Sequence, residues 1–136
     1  MELLRRAVNG TLEDGGVVSG DVSLAIVADG RMREINARFL GRHETTDVIA
    51  FAYEKKEASS LCGEIVINAS EARRIAGPLR HDASAELLLY AVHGALHLLG
   101  WEDSTAGKRN AVNRHAVVIL AQYGVVLDDS TLMEEE

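Results

Sequence analysis

Cysteine is almost absent from this chain of 136 residues, because Cys62 is the only one. A single cysteine cannot form a disulfide within the chain, and it excludes a structural zinc site built from several thiolates. We therefore expect no disulfide-linked partner and a reducing, cytoplasmic location. Cys62 itself is expected to be a small core or strand-edge residue and not to act as a nucleophile.

Aromatic residues and long apolar runs are also scarce. The chain contains one Trp, three Tyr and two Phe, which argues against the extended base-stacking surface of single-strand-binding modules. No run of 18 apolar residues is present, and Arg5 and Arg6 lie inside an amphipathic turn near the start. Neither a membrane span nor a signal peptide is expected from this pattern, and no membrane partner.

The formal net charge of −7 argues against indiscriminate binding to nucleic acid. Five acidic residues lie in the last nine positions, so the rest of the chain is close to neutral and is compatible with a local basic cleft. We expect a solvated, frayed acidic tail from about residue 126. Nothing in the composition requires more than a monomer.

Hydropathy periodicity predicts a single α+β domain over residues 1–136, with a small mixed sheet of three to four strands packed against about five helices. Strands are expected at residues 22–26, 47–53 and 64–67, the last of them short and central. Five helices are expected. The first runs from residue 3 to the Gly15-Gly16 region, the second begins at a cap at Asp29, and the third runs from a cap at Ser70 to Ala76. The fourth begins at Asp82 or Ser84 and ends at Leu99, and the fifth runs from Ser104 to Gln122.

The most informative segment begins at His93 and reads HGALHLLGWED. Four helical residues turn by about 400° and rise by about 6 Å, so His93 and His97 face the same way and can share one metal ion. Gly100 predicts a left-handed stop, after which Glu102 or Asp103 can return towards the two rings. Two nitrogens and one oxygen leave a fourth position for water, as in a catalytic zinc site. The alternative is a pair of core histidines bonded to backbone or carboxylate groups.

Three segments together resemble the YbeY family of bacterial metalloproteins. The family's core motif is similar to H-G-x-L-H-L-x-G-[YF]-D-H, and the segment from His93 to Asp103 matches most of it. A second family pattern resembles residues 35–51, which end in TDVIAF, and the family's G-D-I-V-I strand resembles residues 63–67, GEIVI. The resemblance spans about residues 22–122, in the same order and with the same spacing.

The resemblance implies a zinc-dependent endoribonuclease that is directed at single-stranded RNA and acts in ribosomal RNA processing and ribosome maturation. It implies one Zn²⁺ per chain, phosphodiester hydrolysis by a metal-activated water, and ribosomal RNA and the small ribosomal subunit as partners. The expected metal ligands are His93, His97 and Asp103, while the catalytic residues stay unassigned. Glu64 is a candidate general base if its end of the strand faces the metal.

Two functional positions depart from the family pattern. Asp103 stands where the family has its third ligand histidine, and the register favours it over Glu102 as the ligand. An anionic oxygen ligand makes the ion a weaker Lewis acid and makes Mn²⁺ or another divalent ion more acceptable. Leu40 stands where the family carries an arginine thought to hold RNA phosphate, so Arg42 and His43 are the candidate substrate-binding residues.

These departures keep two other functions open. One is a catalytically weakened ribosome-associated factor that retains the fold and the metal. The other is a metallopeptidase, which is disfavoured because Gly94 stands where H-E-x-x-H peptidases carry the glutamate that acts as general base.

Overall fold

The computed structural model describes residues 1–53, 57–79 and 82–127. Within those ranges the chain forms helix α1 (Glu2–Asp14), strand β1 (Ser19–Val27), α2 (Asp29–Leu40), β2 (Val48–Ala52), β3 (Ser60–Asn68), α3 (Ala69–Leu79), α4 (Ala83–Leu98) and α5 (Ala106–Gln122). The predicted α+β class, with a small sheet and five helices, is confirmed for this part of the chain. The predicted acidic tail lies, from residue 128 onward, outside the described residues.

Strand β3 is the centre of a three-stranded mixed sheet with the order β1-β3-β2. It pairs in parallel with β1, where Leu24 lies opposite Ile65, and antiparallel with β2, where Ile49 lies opposite Val66. The predicted central position is confirmed, but the predicted length of four residues was wrong, because β3 spans nine. Pairing with β1 keeps its more polar first half extended, although that half carries no hydrophobic run.

Helix α4 is the most deeply buried helix and packs against both the sheet and the other long helices. Gly94 faces the sheet, and a Cβ atom built there would lie 2.5 Å from Cγ2 of Ile65 and 3.3 Å from Cγ2 of Val48. Only a residue without a side chain allows this close approach of helix and sheet. Within the described ranges, every helix is too short or too polar to span a lipid bilayer.

Two of the predicted helix caps were wrong. Asp29 is the first residue of α2 and not its cap, and its carboxylate binds the side chains of Arg74 and Asn68. Ser70 lies inside α3, where Asn68 is the capping residue: its Oδ1 accepts hydrogen bonds from the backbone N–H groups of Ser70 (2.9 Å) and Glu71 (3.3 Å). Asn68 takes this role because its short amide side chain directly precedes the first turn.

The other helix ends lie close to their predicted positions. Asp82 caps α4 as one of the two predicted residues, since its side chain accepts from the N–H of Ser84. Thr105 and not Ser104 caps α5. Helix α3 continues to Leu79, past the predicted end at residue 76.

Candidate functional site

A pocket of about 240 Å³ lies where α4, the start of β2 and α5 meet. The residues that line it are Asp47, Val48, His93, His97, Asp103, Arg109, Val112 and Asn113. The three side chains expected to bind metal therefore share one pocket. Their common position follows from the helical spacing of the histidines and from the turn that ends α4.

His93 contributes an unpartnered nitrogen to this pocket. Its Nε2 atom is buried and has no hydrogen-bond partner among the described residues, while the side chain of Asn113 hydrogen-bonds the ring. Burial, together with a smaller effect of the neighbouring imidazole of His97, lowers the pKa of His93 to about 4. The ring is therefore neutral at physiological pH, and a neutral imidazole is the form that binds a metal ion.

The backbone at the end of α4 fixes the orientation of His97. Its Nδ1 atom lies 2.9 Å from the carbonyl oxygen of Trp101, so Nδ1 carries the proton and Nε2 is left as an acceptor. Gly100 has a φ of +103°, which confirms the predicted stop at this residue. In the same turn, the N–H of Trp101 donates to the carbonyl of Leu96 at 3.0 Å. This turn brings the chain back so that Asp103 reaches the pocket.

The two carboxylates after Gly100 have different surroundings. Oδ2 of Asp103 lies 3.6 Å from Nε2 of His97, whereas Glu102 binds Lys108 and Ser104 on the surface and does not line the pocket. Lys108 holds the pKa of Glu102 below its usual range. The register of the histidine motif favoured Asp103 over Glu102 as a metal ligand, and Asp103 is the one of the two that lines the pocket.

No group of three His, Cys, Asp or Glu side chains in the described residues has, as it stands, the geometry to hold a metal ion. The donor set nevertheless fits one. Two ligands bound tetrahedrally to zinc at about 2.0–2.2 Å lie about 3.4 Å apart, close to the 3.6 Å between His97 and Asp103. The side chain of Asp103 is 59% exposed, and His93 offers an unpartnered third donor.

Asp47 is a residue of the pocket that sequence reasoning treated only as part of a strand. Its Oδ1 atom accepts hydrogen bonds from the N–H of Val48 (2.8 Å) and from Oγ1 of Thr46 (3.3 Å). Burial nevertheless raises the pKa of its carboxyl group. The signal that could have found it is a carboxylate at the first position of a strand, inside a segment that resembles a family motif.

Arg109 and Asn113 were also missed, although α5 itself was predicted. They lie one turn apart on α5, and the buried Val112 lies between them. Residues three and four apart lie on the same helix face. Two polar side chains at this spacing beside a buried valine were therefore the sequence signal that could have identified Arg109 and Asn113.

The two predicted substrate-binding residues lie outside this pocket. Arg42 and His43 are exposed in the segment after α2, where the N–H of Arg42 donates to the carbonyl of Asn36 at 3.2 Å. Their role stays a prediction. Glu64 is also exposed and binds the hydroxyl group of Tyr53, so it is not positioned to act as a base in the pocket.

Comparison with known proteins places this fold and site in a family. The model of the family described as Endoribonuclease YbeY matches residues 2–124. Endoribonuclease YbeY of Desulforamulus reducens is 32% identical over 133 residues, covering 92% of this chain and 87% of the relative. Endoribonuclease YbeY of Moorella thermoacetica is 33% identical over 136 residues, with the same two shares.

A solved structure shares the fold at lower sequence identity. The solution structure of TM1509 from Thermotoga maritima has a TM-score of 0.60 and 21% identity, and the match covers 90% of this chain and 82% of that one. The histidine motif, the central strand and the segment that contains Asp47 all lie within the family match. This chain belongs to the Endoribonuclease YbeY family.

Proposed function

We propose that this chain is a zinc-dependent endoribonuclease that hydrolyses single-stranded segments of ribosomal RNA during maturation of the small ribosomal subunit. Membership of the family supports the endoribonuclease activity. The placement of His93, His97 and Asp103 around one pocket is the observation that supports metal dependence. One divalent ion per chain is proposed, with Zn²⁺ preferred and Mn²⁺ accepted because one of the three donors is a carboxylate.

A divalent ion bound by these residues would supply a more acidic water molecule and would stabilise negative charge on the phosphate oxygens. Neighbouring protein groups orient the two histidine ligands. Asn113 orients the ring of His93, and the carbonyl of Trp101 fixes the tautomer of His97. Side chains held in this way keep the donor atoms aimed into the pocket, which supports tight binding of the ion.

Asp47 is proposed as the proton acceptor of the hydrolysis. A general base must reach the reacting atoms and must have a pKa raised towards the working pH. Among the described carboxylates that line the pocket, Asp47 is the one whose pKa burial raises. Asp47→Asn is expected to lower kcat by about 100-fold or more, with the zinc content and KM close to those of the wild type.

A ribosome-associated factor that binds RNA without cleaving it is the second candidate. Two observations favour it: the ligand histidine of the family is replaced by Asp103, and Leu40, which replaces the family's arginine, is 48% exposed and lies outside the pocket. A peptidase is disfavoured by Gly94, because this position faces Ile65 and Val48. A glutamate there would clash with the sheet and would not reach the pocket.

The zinc content of matched variants tests the proposed metal site. Asp103→Ala is expected to lose most of its zinc, whereas Glu102→Ala removes a neighbouring carboxylate bound to Lys108 and is expected to keep it. Elemental analysis of the purified proteins gives the zinc-to-protein ratio. Equal ratios in the two variants would remove Asp103 from the proposed ligand set.

Cleavage of single-stranded ribosomal RNA tests the activity. The zinc-loaded wild type and Glu102→Ala are expected to cleave it, and His97→Ala is expected to be inactive. Cleavage that survives His97→Ala would point to a contaminating nuclease and would contradict the proposal. A zinc-loaded wild type that binds the RNA without cleaving it would favour the ribosome-associated factor, and peptide cleavage abolished by His97→Ala would favour the peptidase.

A further inference from the structure

Arg109 places a guanidinium group at the pocket that holds the proposed metal ligands. The residue lies in the first turn of α5 and lines the pocket together with His93, His97 and Asp103. Its Nη1 atom donates to the backbone carbonyl oxygen of Asp103 at 3.3 Å. An arginine has five N–H donors, so this single bond leaves most of the guanidinium available to a ligand.

Arg109 has no carboxylate within ion-pair distance in the part of the chain that the structure describes. Three other described cations do have such partners: Arg31 binds Glu34, Arg74 binds Asp29 and Glu71, and Lys108 binds Glu102. A guanidinium that lines a pocket and is not held in an ion pair is suited to an anionic ligand.

The ligand of the proposed reaction is an anion, and the pocket otherwise lacks a fixed positive charge. Its remaining ionisable groups are two imidazoles and the carboxylates of Asp47 and Asp103. The cations predicted from the sequence, Arg42 and His43, lie elsewhere. A planar guanidinium matches two phosphate oxygens at once, which an ammonium group cannot do.

We propose that Arg109 binds a phosphate group of the single-stranded RNA substrate, an inference that rests on the proposed function. The arrangement of residues on α5 supports this proposal. Arg109 and Asn113 are four residues apart, so one helix face presents both the proposed phosphate-binding group and the amide that orients His93.

The test compares Arg109→Ala with Arg114→Ala, which removes the same charge from an exposed position on the same helix. Binding is measured by fluorescence anisotropy with a fluorescein-labelled oligouridylate of ten nucleotides and EDTA-treated protein, in which no cleavage occurs. KM and kcat are then measured with zinc-loaded protein. Arg109→Ala is expected to raise both Kd and KM by about 10- to 100-fold with little change in kcat, and Arg114→Ala by less than about threefold.

Salt dependence and a conservative variant add two readouts. Loss of one phosphate contact to a single strand should reduce the slope of log K against log salt concentration by about 0.7 for Arg109→Ala. Arg109→Lys keeps the charge without the planar fork, so its Kd should lie between the wild type and the alanine variant.

The outcomes separate this inference from the proposed function. Equal Kd values for the wild type and Arg109→Ala would overturn the role of Arg109, even if His97→Ala abolished cleavage as expected. A lowered zinc content in Arg109→Ala with an unchanged Kd would also overturn it, because Arg109 would then act only by positioning the backbone at Asp103. Cleavage that survives His97→Ala would contradict the proposed function and would leave the binding result to decide on Arg109.

Discussion

The Nδ1 atom of His97 donates a hydrogen bond to the backbone carbonyl oxygen of Trp101, four residues further along the chain, at 2.9 Å. The positive φ of Gly100 makes this contact possible, because it turns the chain back after the end of α4. The orientation of an imidazole in the pocket therefore depends on the conformation of one glycine outside it.

Gly100→Ala is expected to destabilise the fold by about 1–2 kcal/mol, since a residue with a Cβ atom is disfavoured at a φ of +103°. Zinc affinity is expected to fall by about 10-fold or more, because the carbonyl that orients His97 moves. Urea denaturation and zinc titration measure the two effects. The matched control is Gly107→Ala: at both glycines a built Cβ meets no atom within 4 Å, but Gly107 lies in α5 with an ordinary φ. Equal losses in the two variants would contradict the argument.

The pKa of His93 predicts how stability depends on pH. Burial lowers this pKa from 6.5 to about 4 in the folded protein. Between these values the unfolded chain binds a proton that the folded chain does not, so the free energy of unfolding decreases as the pH falls. The decrease due to His93 between pH 7 and pH 4.5 should be roughly 2–3 kcal/mol.

Urea denaturation of metal-free wild type and His93→Asn at the two pH values isolates this contribution. The comparison with the variant is needed because burial raises the pKa of Asp47, whose titration contributes with the opposite sign. The variant should lose less stability on acidification than the wild type. The same pH dependence in both proteins would show that His93 is not the buried neutral group described above.

Asn68→Ala should strongly destabilise the fold. Nδ2 of Asn68 lies 2.8–3.0 Å from Oδ1 of Asp29, Oγ1 of Thr45 and the carbonyl of Thr46, while its Oδ1 caps α3. The side chain is fully buried, so its removal leaves several polar groups unsatisfied. The expected loss is about 2–4 kcal/mol, measured by urea denaturation. Asn9→Ala, an exposed asparagine on α1, serves as the control and should change little. A small effect of Asn68→Ala would mean that water replaces these bonds.

Gly94→Ala tests the close approach of α4 to the sheet. The added methyl group would lie 2.5 Å from Cγ2 of Ile65, so the helix or the strand must move. A loss of about 1–3 kcal/mol is expected, although alanine is the better helix former. Thermal denaturation should show no such loss for Gly30→Ala on α2, where a built Cβ meets no atom within 4 Å. A variant at position 94 as stable as the wild type would mean that the packing between α4 and β3 is looser than described.

Much of the fold could be predicted because local sequence signals agreed with the tertiary structure. The central position of β3 followed from its apolar run, and the stop at Gly100 followed from the glycine after an apolar helix. The length of β3 could not be predicted, because its first half is held by backbone pairing with β1, a strand distant in the sequence. The caps at Asp29 and Ser70 were wrong because Asn68, at the end of a strand, binds both regions at once.

Only part of the candidate site could be predicted from the sequence. The histidines and Asp103 lie within eleven consecutive residues, so helical spacing and one turn were enough to group them. Asp47, Arg109 and Asn113 reach the pocket from two other elements, and their arrival depends on how β2 and α5 pack against α4. Such long-range placement has no signature in local periodicity. It can be read only from the assembled structure.

Because Gly94 has no side chain, the two histidines form a rigid part of the site and Asp103 forms an adaptable part. His93 and His97 lie on a helix whose backbone packs directly against the sheet. The packing of helix and sheet therefore determines the relative positions of the two imidazoles. Asp103 belongs to an exposed connection whose conformation the sheet does not dictate. The proposed third donor can therefore change between residue types such as histidine and aspartate, while the two imidazoles and the architecture beneath them stay unchanged.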